Sequence, residues 1–285
     1  HYTAAKKPRS GDLYSPGGKA GLRPDRCTIV YTNRVREAFG DIPVIIGGPE
    51  ASMRRFAHYD YWDNKVRRSI IFDSRADIVS YGMGEKQTVA IADALASGIA
   101  VGDITWIDGT CYVGGEVPED ALILPSFEEV KMDKRKYAEC TRIQYEEQDP
   151  VRGRRLAQKH GDKYAVINPP MMPLSEQELD RVYALPYVRE YHPSYEKDGG
   201  IPAFDEVRFS ITSARGCFGN CNFCSLAFHQ GRIVQSRSHA SIINEAKNLT
   251  YHPLFKGYIH DVGGPSANFR GPACDKQLKV GTCRD

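Results

Sequence analysis

Three of the chain's eight cysteines, Cys217, Cys221 and Cys224, fall within the single stretch ARGCFGNCNFCSLAFHQ. Their C-x-x-x-C-x-x-C spacing is too tight for separate elements, so one loop must curl around one centre. Thiolates are soft donors that suit zinc, copper(I) or iron–sulfur clusters. A structural zinc site closes with four protein ligands. Here the fourth would be His229, five residues after Cys224, with His239 as a later option. A four-iron cubane needs no fourth side chain: three cysteines hold three irons, and the last iron stays open to a substrate or cofactor. Gly219 and Asn220 let such a loop wrap, with backbone amides free to tune the cluster sulfides. The residues alone admit both a zinc-stabilised binding module and a cluster.

Alternating Val207, Phe209 and Ile211 predict a strand that runs straight into this loop. After the loop, Ser238 caps a helix carrying Ile242, Ile243, Ala246 and Leu249 on one side. Residues 257–264 read as a second strand. The cysteines then leave the C-terminal end of the first strand of a βαβ unit, which is the catalytic end in βα barrels. Upstream, a helix from Asp25 to about Gly40, a strand in PVIIGG, a helix over 52–62, strands over 69–72 and 76–82, and a helix over 84–97 alternate. That alternation predicts a parallel, doubly wound, Rossmann-like α/β sheet with ligand turns at Gly47, Gly48 and residues 82–85. TCYVGG reads as a strand and hairpin, and the charged stretch 131–163 as surface helix. Ser175 and Glu178 form a capping box. The expected organisation is an extended basic arm over 1–22, a Rossmann-like domain over 23–125, a connector over 126–204, and the first βα units of a truncated barrel over 205–285.

The 285 residues are 41% hydrophobic and 26% charged, a composition that folds. A net charge of +2 gives no reason to expect nucleic acid. No apolar run reaches membrane-span length, so no membrane partner and a cytoplasmic location are expected. Crowded cysteines in such a long chain point to metal binding rather than a disulfide framework. Cys27, Cys111 and Cys140 are scattered and read as buried thiols. Cys274 and Cys283 either begin a second metal site or are ordinary thiols. Arg215, Arg232 and Arg237 flank the loop as candidates to meet a carboxylate or phosphate, but read first as surface salt bridges. The chain opens on His1 and closes in a polar, turn-rich stretch, which suggests an excerpt.

Three longer stretches are IGGPEASMRRFAHYDYWDNKVRRSI, ARGCFGNCNFCSLAFHQGR and HDVGGPSANFRGPAC. Together they resemble the YgiQ-type radical SAM proteins, and the resemblance covers most of the chain. It implies a 4Fe-4S cluster on Cys217, Cys221 and Cys224, with S-adenosylmethionine (S-adenosyl-L-methionine) on the open iron. One-electron reduction would then cleave the sulfonium to a 5′-deoxyadenosyl radical that attacks an unknown substrate. The electron donor would be of flavodoxin or ferredoxin type. The resemblance also implies Phe223 near the adenine, and Gly263 and Gly264 near the methionine amino group. Pro265 stands where the superfamily often has a glutamate, so backbone carbonyls must serve there. A full barrel needs more βα units than follow Cys217. Domains of this kind often bind cobalamin, but the Asp-x-His-x-x-Gly motif does not occur in the chain: it lies upstream, or this domain binds no cobalamin. No catalytic acid or base is assigned.

Overall fold

The computed structural model describes residues 2–219, 221–265, 269–272 and 274–283. The chain folds into two compact units, each assembled from separated segments. The larger unit collects Thr28–Pro173, Gly216–Ile233 and Pro272–Asp285; the smaller collects His1–Cys27, Leu174–Arg215 and Val234–Gly271.

The larger unit is built on a six-stranded sheet. From edge to edge its strands are Ile45–Ile46, Ile78–Ser80, Thr110–Gly114, Lys163–Ile167, Leu156–His160 and Leu122–Leu124. The two outer pairings are parallel and the three inner ones antiparallel. The expected all-parallel, doubly wound sheet is therefore corrected to a mixed one. The reason lies in the connections. Parallel neighbours need a long crossover, which Phe127–Met132 and Lys134–Glu146 supply between Leu124 and Leu156. Leu156–His160 and Lys163–Ile167 are instead joined by the two-residue turn Gly161–Asp162, with Gly161 at φ +66°, and such a turn forces antiparallel pairing.

Three local expectations change with it. The helix expected over 52–62 is a shorter one, Gly48–Met53, followed by a hairpin of His58–Asp60 with Lys65–Arg67. The apolar run at 69–72 is helical over Ile70–Ser74 rather than a strand, an ambiguity that short apolar runs carry. The charged stretch 131–163 is helical at its start, in the end of Phe127–Met132, and over Lys134–Glu146; its last residues enter the sheet, where Leu156, Ala157 and Gln158 are buried. The helix after the basic arm does form, over Cys27–Phe39, as does Glu85–Ala96 before Gly98. Cys111 and Cys140 sit in the core as expected, and burial pushes their thiols up to about 12 and about 11.

His160, at the hairpin turn, is 7% exposed between Phe72 and Phe127, with ring centroids at 4.8 and 5.5 Å. Neither ring nitrogen has a hydrogen-bond partner among the described residues. Burial lowers its pKa to about 4; Glu128 and Asp73 oppose the shift, while Arg68 and His58 add to it. Its folded pKa lies below the unfolded value of about 6.5, so the unfolded chain takes up the proton first. The contribution to stability is full above pH 6.5 and declines as pH falls toward 4, by about 3 kcal/mol. His160→Phe should remove that part of the acid sensitivity, read from urea unfolding at pH 4.5 and pH 7.5. An unchanged difference between the two pH values would rule the residue out as its source.

In the smaller unit, Ser210–Thr212 pairs in parallel with Asp261–Gly263, and the helix His239–Thr250 lies between them in sequence. Phe209, Ile211 and Leu249 form its buried core. The predicted strand is shorter than its alternation suggested, because Phe204–Val207 is helical and leaves Val207 exposed. One βαβ unit is present; a barrel is not evident among the described residues. The cap of Ser238 on Ser241 N–H and the Ser175–Glu178 capping box both form. No helix among the described residues is long and apolar enough to cross a membrane.

Candidate metal centre

The chain leaves the smaller unit after Arg215 and returns to it at Val234; the cysteine segment between belongs to the larger unit. Its two legs close on each other. Cys217 N–H donates to the Gly231 carbonyl at 3.1 Å, and Gly216 N–H donates to the Gln230 side chain at 3.1 Å. Cys224 N–H donates to the Cys221 carbonyl at 3.0 Å, which folds those four positions into one turn. A short helix, Leu226–Gln230, follows and ends at Gly231.

All three cysteines are free thiols; Cys221 is exposed and its two neighbours are half-buried. A Cβ built on Gly219 would lie 3.3 Å from the Cys217 sulfur and 3.9 Å from the Cys221 sulfur. Two of the three sulfurs thus flank one bare Cα. The structure does not gather all three: no group of three His, Cys, Asp or Glu side chains among the described residues is placed to hold a metal ion. The donors therefore fit an iron–sulfur cluster in kind. Asn220 lies outside the described residues.

His229, the fourth ligand of a closed zinc site, is not grouped with the cysteines. Its Nδ1 is hydrogen-bonded to Ser52 Oγ at 3.1 Å. Phe223 is 92% exposed, a free aromatic face on the loop. Gly263, Gly264 and Pro265 lie in the smaller unit. There the Gly263 carbonyl accepts from Ser213 N–H at 2.6 Å. A Cβ on Gly264 would come within 3.0 Å of the Ala214 carbonyl oxygen and 3.2 Å of its Cβ. Close packing against Ala214, three residues before Cys217, favours glycine at 264.

The flanking arginines correct their expectation: Arg215, Arg232 and Arg237 are all buried, not surface ion pairs. Their guanidinium planes stack on rings, Arg215 and Arg237 on Tyr183 and Arg232 on Tyr145. Arg232 also donates to the Cys283 carbonyl at 2.9 Å. Next to Cys283, Thr282 is clasped by Asp149, which accepts its N–H at 2.6 Å and its hydroxyl at 2.8 Å. Burial alone would raise the Asp149 pKa; the amides of Thr282, Val151 and Arg152 and the Thr282 hydroxyl outweigh it and hold the carboxyl below its ordinary value. Cys274 and Cys283 are exposed, and neither joins a metal-holding group among the described residues.

The profile of the radical SAM N-terminal family matches residues 1–210. A UPF0313 protein of Clostridium perfringens is 62% identical over 287 residues, an alignment that takes in the whole of this chain. The chain belongs to the UPF0313 family and carries its radical SAM N-terminal domain. A UPF0313 protein of Clostridium botulinum is 58% identical over the same span. The chain covers 43% of the first relative and 44% of the second, so it spans less than half the length of these UPF0313 proteins. The family profile stops before the cysteine segment, whereas the likeness to the UPF0313 relatives continues through it.

Proposed function

We propose that this chain carries the cluster-binding loop of a radical SAM enzyme, in which Cys217, Cys221 and Cys224 hold three irons of a 4Fe-4S cluster. The observation that carries the reading is the set of three free thiols on one loop, two of them flanking Gly219, in a chain of a radical SAM family. With its fourth iron bound by S-adenosylmethionine, such a cluster supplies the one-electron reduction that breaks the sulfonium bond.

The chain's own residues contribute placement. Gly219 leaves the space between two sulfurs unfilled, so both can turn toward one centre. Phe223 offers an exposed ring for an adenine to stack on. A flavodoxin- or ferredoxin-type donor in a reducing cytoplasm suits both the electron demand and the free thiols.

The test is anaerobic reconstitution of the chain with iron and sulfide, followed by titration with S-adenosylmethionine. The expected result is about four irons per chain and an electron paramagnetic resonance (EPR) signal that changes on adding the cofactor. A chain that binds one zinc tightly and no iron would overturn the reading.

A further inference from the structure

Two of the stretches that carry the family likeness, residues 46–70 and 214–232, meet in the larger unit at Ser52 and His229, 177 positions apart. Ser52 is fully buried in the short helix Gly48–Met53, just after the strand Ile45–Ile46. Its Oγ accepts from Gly82 N–H at 3.0 Å and is also hydrogen-bonded to His229 Nδ1 at 3.1 Å. Gly82 follows the neighbouring strand Ile78–Ser80, and a Cβ there would sit 3.4 Å from the His229 carbonyl oxygen.

A second tether holds the adjacent residue. Gln148 donates to the Phe228 carbonyl at 3.3 Å and accepts from Arg55 at 2.6 Å. Arg55 is itself buried, stacked on Tyr81 at 4.2 Å, and donates to the Ser52 carbonyl at 2.5 Å. Phe228 and His229 are thus fixed through a carbonyl and a ring, and both tethers return to the same short helix. Cys224 lies two residues before the helix they belong to.

We propose that Ser52 and Gln148 are positioning residues for the cysteine loop, holding its base against the ends of two parallel strands so that the three sulfurs share one centre. The idea builds on the cluster reading above. Sulfurs on a loop with a fixed base lose less freedom when they converge than sulfurs on a loose one.

The test compares Ser52→Ala, Ser52→Thr and His229→Phe with the parent chain, kept anaerobic. Hydrogen exchange of residues 216–233 without iron reads the loop directly. It should quicken about tenfold over 226–230 in Ser52→Ala, the loss of one or two buried hydrogen bonds, and return to the parent rate in Ser52→Thr. After reconstitution, Ser52→Ala should surrender iron to a chelator about tenfold faster and show a broadened EPR signal. Unchanged exchange and unchanged iron release would overturn the proposal. If the parent chain takes no iron, the cluster reading fails and the exchange result alone decides the positioning. If Ser52→Ala does not fold, His229→Phe decides by the same two measurements. In that variant a graded weakening supports positioning, whereas complete loss of a bound zinc would make His229 a ligand and overturn it.

Discussion

Cys221→Ala is expected to take the iron bound after anaerobic reconstitution from about four per chain to well below one, because a cubane held at two corners is readily lost. Stability should change by no more than about 0.5 kcal/mol, as is usual for an exposed side chain. Cys221 is exposed, and its sulfur is one of the two that flank Gly219. Folding and metal binding therefore separate cleanly in this variant, which makes it more informative than a core cysteine. Cys111→Ala, by contrast, opens a cavity at a fully buried position and should lower stability while leaving the iron count intact. Cys274→Ala serves as the exposed control and should keep all of its iron. Full iron content in Cys221→Ala would remove it from the ligand set, and with it the three-sulfur arrangement.

The cysteine trio stands out in the sequence because spacing within one loop is a local property; that the three sulfurs share a centre is a proposal that the spacing raises and the fold leaves to experiment. Caps were legible for the same reason: Ser175 with Glu178 and Ser238 need only three or four neighbouring residues to declare themselves. The sheet was not. Gly161–Asp162 reverses the chain between two strands whose charged surroundings resemble a surface helix, so an antiparallel centre hid behind an apparent alternation of strands and helices. A second capping box, Ser126 with Glu129, opens the crossover helix Phe127–Met132, and its local signal is present in the sequence. Arginines misled most. Sequence gives their charge but not the Tyr183 and Tyr145 rings that cover them, which come from distant segments. Ser52 and Gln148 were invisible for a related reason, since a small hydroxyl and an amide announce nothing until the structure supplies their partners.

Glu245→Ala is expected to cost the smaller unit about 3–5 kcal/mol, the penalty for leaving a buried cation without its counter-charge. Arg237 is fully buried, and its guanidinium pairs with Glu245. Arg189 pairs with the other oxygen of the same carboxylate. The remaining Arg237 donors go to the Thr212 carbonyl at 2.9 Å and to Ser241 at 2.8 Å, and its backbone N–H goes to the Ser213 carbonyl at 3.0 Å. One side chain thus ties the helix His239–Thr250 to the strand end that leads toward the cysteines. Removing the carboxylate takes the counter-charge from two guanidinium groups, one of them fully buried. Replacing both members of the buried pair, as in Arg237→Met with Glu245→Leu, removes the desolvated charge along with its partner and should recover much of the loss. Urea unfolding of the two single variants and the double variant measures the coupling. If Glu245→Ala cost less than about 1 kcal/mol, the range of an exposed ion pair, Arg237 would have to find another acceptor, and the carboxylate would not be what fixes the strand end.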